Sequence, residues 1–217
     1  MAATHYKKSM REYLDALPPE ALITTDMMTA AIMERTGSKG KNVRSTVIVN
    51  LSRMVQEGLI DRIARGIYCK RVKTPSGDYV PSKDKLFTKS LIQDGDLVIG
   101  YETGFSLMNQ IGLITAVPRR KTIATNNYNV PIPNDMEIKV IMPRIPITRD
   151  NYKYLQVLDV IDGMDSAPID AAEPEEIIRQ MIVKEDLLPD RLILYARRYY
   201  PTKALVKAID ITLGRLE

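Results

Sequence analysis

The chain has 217 residues, and its 31 Lys and Arg against 27 Asp and Glu leave a net charge of +4 with the one His neutral. Apolar residues make up 45% and charged residues 27%, an ordinary globular balance, and at roughly 150 residues per domain the length suggests one large domain or two small ones. A lone Cys69 excludes an internal disulfide framework and a cysteine-based zinc site, a lone His5 argues against Ser-His-Asp or Cys-His triads, and no run of about 18 apolar residues could span a membrane.

The first 17 residues mix charged and apolar side chains and lack the apolar core and cleavage site of a signal peptide, so a cytoplasmic chain without a membrane partner is expected. Tyr6, Met10, Tyr13, Leu14 and Leu17 recur at helical spacing, and Pro18-Pro19 stops the helix. Thr24-Thr25 then offers an N-cap before Asp26. Met28, Ala31 and Ile32 line one face of a short second helix, which Gly37 can close.

After the polar turn Ser38-Lys39-Gly40-Lys41, Asn42 can cap a third helix that ends at Gly58. Val43, Val47, Leu51 and Val55 recur every four residues, with Ile48 and Met54 beside them, and predict its buried stripe. The opposite face holds Asn42, Ser45, Thr46, Val49, Ser52, Arg53 and Gln56, with no acid before Glu57. A merely solvated helix mixes Glu with Lys. Small polar side chains instead let a backbone approach a base-pair edge, and Arg53 adds a forked donor. Two β-prone runs, 59–64 and 67–71, flank Arg65-Gly66 and predict a hairpin.

Three helices followed by a hairpin is the order of a winged helix-turn-helix, in which the third helix enters the major groove and the wing touches the backbone. The charge agrees with this. Residues 1–73 hold 13 basic and 7 acidic side chains, a net +6, whereas residues 74–217 hold 18 and 20, a net −2. The candidate DNA contacts are Lys39, Lys41, Asn42 and Arg44 where the third helix starts, Ser45, Thr46, Val49 and Arg53 on its solvent face, and Arg62, Arg65 and Lys70 in the hairpin.

Thr74-Pro75-Ser76-Gly77-Asp78 reads as a linker, which divides the chain into a winged-helix domain, 1–73, and a second domain, 81–217. Ser82 can cap a helix from Lys83 to Gln93, and 97–101 has a buried-strand pattern. Glu102–Ile111 reads as a helix with Phe105, Met108 and Ile111 on one face, and Lys121–Asn126 as a strand. In Met136–Met142 the alternation predicts Met136, Ile138, Val140 and Met142 inward. Helices are predicted over 148–162, 171–184, 189–200 and 202–216. The predicted class is α+β: a winged helix-turn-helix, then a mixed α+β domain ending in a helical tail.

Catalytic patterns are thin. Ser82-Lys83-Asp84-Lys85 fits Ser-x-x-Lys, but no Ser-Asp-Asn or Lys-Thr-Gly element accompanies it, and the same residues make a good helix start. Glu137 and Lys139 share a strand face and, with Asp96 or Asp135, form the weakest version of a metal-dependent nuclease pattern. Solvated strand residues alternate in the same way. A DNA-processing nuclease with a winged-helix targeting domain is therefore the alternative to a regulator. The favoured reading has no catalytic residue, no metal site and no cofactor. Tyr195-Ala196-Arg197-Arg198-Tyr199-Tyr200 could bind a partner or nucleic acid through Arg and Tyr, or be core on one side with snorkelling Arg on the other, the reading slightly favoured.

Taken in order, several segments resemble the AbiEi-like antitoxins, the regulator halves of abortive-infection (type IV) toxin–antitoxin pairs. They are Arg62-Ile63-Ala64-Arg65-Gly66-Ile67-Tyr68 at the end of the wing, Gly100-Tyr101-Glu102-Thr103-Gly104-Phe105-Ser106-Leu107 running into Ile111-Gly112-Leu113, and Leu155–Asp159 with Tyr199-Tyr200-Pro201 and Ala204-Leu205. Gly104-Phe105 departs from the small pair usual in that element. The resemblance implies a phage-defence protein. It would be a sequence-specific autorepressor on double-stranded operator DNA with inverted repeats, and its second domain would neutralise a nucleotidyltransferase-like toxin.

Overall fold

Apolar residues at every third or fourth position of 2–16 build the first helix, α1 (Ala2–Ala16), which buries Met10 and Leu14. The computed structural model describes residues 2–18, 21–38, 41–74, 77–79, 82–128, 130 and 132–213. The chain divides into two compact units, Met1–Ser90 and Leu91–Glu217.

In the first unit, β1 (Leu22–Thr24) leads into α2 (Thr25–Thr36). The Thr24 hydroxyl accepts the Met27 N–H at 3.1 Å, and Gly37 closes the helix with φ 66°, as its capping residues predict. Helix α3 (Lys41–Gln56) ends in a Schellman turn: with Gly58 at φ 71°, the Gly58 N–H reaches Val55 O and the Leu59 N–H reaches Met54 O. Strands β2 (Ile60–Ala64) and β3 (Ile67–Lys70) pair as the expected hairpin, bulged between Arg62 and Ala64 and turned at Gly66. Strand β1 adds to the other edge of β3, Leu22 opposite Cys69, so the sheet order is β1-β3-β2.

One core serves all of these elements. It joins Met10 and Leu14 (α1), Ile23 (β1), Met28 and Ile32 (α2), Val43, Val47, Leu51 and Met54 (α3), Ile60 (β2) and Tyr68 (β3). Truncating one of the large aliphatic members to Ala costs about 2–5 kcal/mol, a large part of the stability of a small domain. The stripe predicted on α3 is corrected at two places. Ile48 is exposed and Val55 only half-buried, while Asn50 is buried and donates to Thr46 O at 2.9 Å.

The segment read as a linker forms a second hairpin, β4 (Val72–Thr74) with β5 (Gly77–Tyr79). The division between the units falls later, inside α4 (Lys83–Ile92).

The second unit opens with the short pair β6 (Gln93–Asp94) and β7 (Leu97–Val98). Its sheet is β8 (Gly100–Thr103), β9 (Lys121–Thr125) and β10 (Ile138–Ile141). Strand β9 lies in the middle, antiparallel to β8 and parallel to β10. Helix α5 (Gly104–Gln110) packs on β8 and β9, and α6 (Tyr152–Gly163) packs on β8, α5, α7 (Pro174–Lys184), α8 (Pro189–Tyr199) and α9 (Thr202–Leu213). Tyr154 to Leu158 are five consecutive buried residues, so α6 is covered all round and forms the centre of this core.

Several expectations for this unit are corrected. Leu97 is 67% exposed and the 97–101 run breaks into two strands. Glu102 and Thr103 belong to β8 rather than to a helix. Phe105 is exposed and the buried face of α5 is Leu107 and Met108. Met142 is 67% exposed because β10 stops before Pro143. The class is α+β, and among the described residues no helix is long and apolar enough to cross a membrane.

Candidate nucleic-acid interface

Because Val43, Val47, Leu51 and Met54 hold one side of α3 in the core, its other side faces solvent. Asn42, Arg44, Ser45, Ile48, Val49, Ser52, Arg53 and Gln56 are all exposed there, and Thr46 is half-buried at the edge. Two features of this face differ from the sequence expectation. Asn42 lies inside the first turn, since α3 begins at Lys41, and its carbonyl accepts both the Ser45 and the Thr46 hydroxyls at 2.9 Å. Ile48 joins Val49 as a second exposed aliphatic side chain, 42% and 49% accessible.

The two arginines of α3 differ in state. Arg44 is ion-paired to Asp26 in the first turn of α2. Arg53 has no side-chain partner among the described residues and stands exposed near the C-terminal end. Glu57, the first acid along the helix, is held between Lys7 at 2.5 Å and Arg11 at 2.7 Å. Hydrogen bonds from Lys7 and then Arg11 keep its carboxyl below its ordinary value. Its charge is thereby offset by Lys7 and Arg11 of α1.

In the hairpin, Arg65 is exposed at the turn and Arg62 is exposed on β2, its Nε donating to Ala64 O at 3.4 Å. The turn is fastened to the start of α2: the Thr25 N–H donates to Gly66 O at 2.9 Å and the Thr25 hydroxyl to the same oxygen at 3.2 Å. Lys70 is corrected as a phosphate candidate. It is half-buried, and its Nζ donates to Leu14 O at 3.0 Å and Leu17 O at 3.4 Å, closing the C-terminal end of α1. Lys39 lies outside the described residues, as does the side chain of Lys41. The set brought onto one helix face is therefore Asn42, Ser45, Thr46, Val49 and Arg53, with Arg44 beyond its edge, held by Asp26 of α2, and Arg62 and Arg65 in the hairpin.

A cavity of about 480 Å³ opens in the first unit, lined by Arg11, Leu14, Asp15, Gly58, Leu59, Lys70 and Arg71. Its cations are already used: Arg11 by Glu57, Lys70 by the α1 carbonyls, and Arg71 by Asp61 through bonds of 2.5 and 3.0 Å.

The nuclease pattern fares differently. Glu137 and Lys139 are both exposed, and Glu137 is engaged by Arg119 Nε at 2.7 Å. Among the described residues no group of three or more His, Cys, Asp or Glu could hold a metal ion. Ser82 of the Ser-x-x-Lys pattern accepts the Lys85 N–H at 3.3 Å, the bond of a helix N-cap.

Sequence reasoning missed one polar cluster. Asp159 on α6 accepts from Tyr101 at 2.9 Å, Tyr200 at 2.7 Å and Thr103 at 3.3 Å. Burial raises the Asp159 carboxyl above its ordinary value, and burial with the neighbouring Asp159 raises both tyrosines. The signal in the sequence was an Asp set between the apolar pairs Val157-Leu158 and Val160-Ile161. Compared with known proteins, the chain matches no family model and no curated protein.

Proposed function

We propose that residues of the first unit form a winged helix-turn-helix that reads double-stranded DNA through α3. The observation that carries this reading is the solvent face of α3, which offers Asn42, Ser45, Val49, Ser52, Arg53 and Gln56 and not one carboxylate. The element order α1-β1-α2-α3-β2-β3 with sheet order β1-β3-β2 supports it, because that arrangement supports a protruding third helix next to a hairpin. The net +6 of residues 1–73 supplies the long-range attraction to a polyanion.

On this reading Val49 and Ile48 meet thymine methyl groups, Arg53 reaches a guanine edge, and Arg62 and Arg65 contact phosphates. The role is that of a sequence-specific transcriptional regulator, and the reading needs no catalytic step. The resemblance extends it to an autorepressing antitoxin whose second unit, with a net −2 over residues 74–217, meets a nucleotidyltransferase-like toxin rather than DNA. Selection of the full chain against a random duplex pool, followed by anisotropy titration at several salt concentrations, tests the first part. A preferred duplex site bound by wild type and lost on Val49→Glu is expected. Failure to bind any duplex at low salt refutes it.

A further inference from the structure

Three tyrosines lie in a row in the second unit. Tyr154 and Tyr195 have ring centroids 5.5 Å apart, and Tyr195 and Tyr199 6.1 Å apart. The Arg191 guanidinium lies 5.1 Å from the first ring centroid and 5.8 Å from the second. Arg191, Leu194 and Arg198 follow the i, i+3, i+7 spacing and lie together on the exposed side of α8, away from the buried Leu192 and Ala196, while the half-buried Tyr195 packs against the core at the edge of that side. Leu194 is 46% exposed, and Arg198 is exposed with no partner among the described residues.

The face is thus cationic and apolar at once, which is unusual in a unit whose residues 91–217 carry 15 basic and 18 acidic side chains. Asp150 is the carboxylate that acts on Arg191, and Asp190 sits at the N-terminal end of the helix. Exposed Arg on both sides of a central aliphatic residue, with a half-buried Tyr at the edge, is a composition that suits an interface with acidic and apolar groups.

We propose that this α8 face docks an acidic amphipathic segment of a partner protein. The partner's carboxylates would pair with Arg191 and Arg198, and its apolar side chains would cover Leu194. A single-stranded nucleic acid fits less well. Tyr195 is flanked by two rings and covered by Arg191, which leaves no open ring face for a base, and Leu194 needs an aliphatic partner. The inference stands apart from the DNA reading, since it concerns residues of the other unit.

The test uses the full chain and a fluorescein-labelled helical peptide with Leu at i, i+3, i+4 and i+7 and Glu elsewhere, followed by anisotropy. Saturable binding that weakens with salt is expected, at least about tenfold weaker for Arg198→Glu because a paired charge becomes a repulsive one. Leu194→Asp, also on the exposed side, should weaken it comparably, with circular dichroism unchanged in both variants. A peptide of the same pattern with Lys in place of Glu should not bind. The proposal is overturned if the acidic peptide does not bind, if both peptides bind alike, or if labelled oligothymidine is what Arg198→Glu releases while peptide binding stays unchanged.

Discussion

Asp26→Asn should tighten DNA binding. Asp26 is paired to Arg44, and the side chains are 76% and 53% exposed, so in the free protein the carboxylate competes with any phosphate for that guanidinium. If α3 lies in a groove, removing the charge gives Arg44 to the backbone. One further neutralised phosphate steepens the log–log salt slope by about 0.9. Counterion release of that size corresponds to about fivefold tighter binding at 0.15 M salt and about fifteenfold at 0.05 M. The cost to folding is small, because an exposed pair contributes about 0–1 kcal/mol and an acid in the first turn of α2 about 0.3–1 kcal/mol. The assay is anisotropy on one labelled duplex at five salt concentrations, with urea unfolding alongside. An unchanged slope, with the variant folded, refutes the placement of Arg44 against DNA. A weaker affinity refutes it more strongly, since it would make Asp26 itself a contact.

Arg53→Ala should cost about 1–3 kcal/mol on the preferred duplex and less on random duplex, so that the specificity ratio shrinks; equal losses on both, in parallel titrations, would reassign Arg53 to the phosphate backbone. Lys70→Met should leave the salt slope unchanged but lower urea stability by about 1–2 kcal/mol, because Leu14 O and Leu17 O lose their charged donor. Asp159→Asn should flatten the pH dependence of unfolding. With its folded pKa raised by burial, Asp159 contributes stability that is full below its ordinary value of 3.8 and is lost as pH rises through the raised folded value. Parallel stability profiles for wild type and variant between pH 3 and 8 would show that Asp159 titrates as in the unfolded chain.

The parts of the fold readable from the sequence were those set by local chemistry. Thr24 and Gly37 bound α2 because a cap needs only a side-chain oxygen at one end and a left-handed residue at the other, and Gly58 and Gly66 act the same way at their turns. Strand β1 was not readable. Leu22-Ile23-Thr24 is too short to show alternation and becomes a strand only because the free edge of β3, some 45 residues later, needs partners for its backbone groups. Met142 misled for the converse reason: the alternation continues past Ile141, but Pro143 cannot continue the ladder and the side chain turns outward.

The candidate interface divides along the same line. The composition of the solvent face of α3 needs only the 3.6-residue period, so Ser45, Val49 and Arg53 were legible. The state of each cation depends on partners distant in sequence: Asp26 for Arg44, the end of α1 for Lys70, and α1 for Glu57. A count of basic residues therefore misjudges the field that a polyanion meets. It counts Lys70, which is spent on carbonyls, and Arg44, which is shared with an acid, as if they equalled Arg53. It also debits Glu57, whose charge is covered by Lys7 and Arg11. With Arg53 on a base edge, the salt slope of the wild-type chain should accordingly be set by Arg62 and Arg65, with whatever Lys39 and Lys41 add, and it should steepen only when Asp26 is removed.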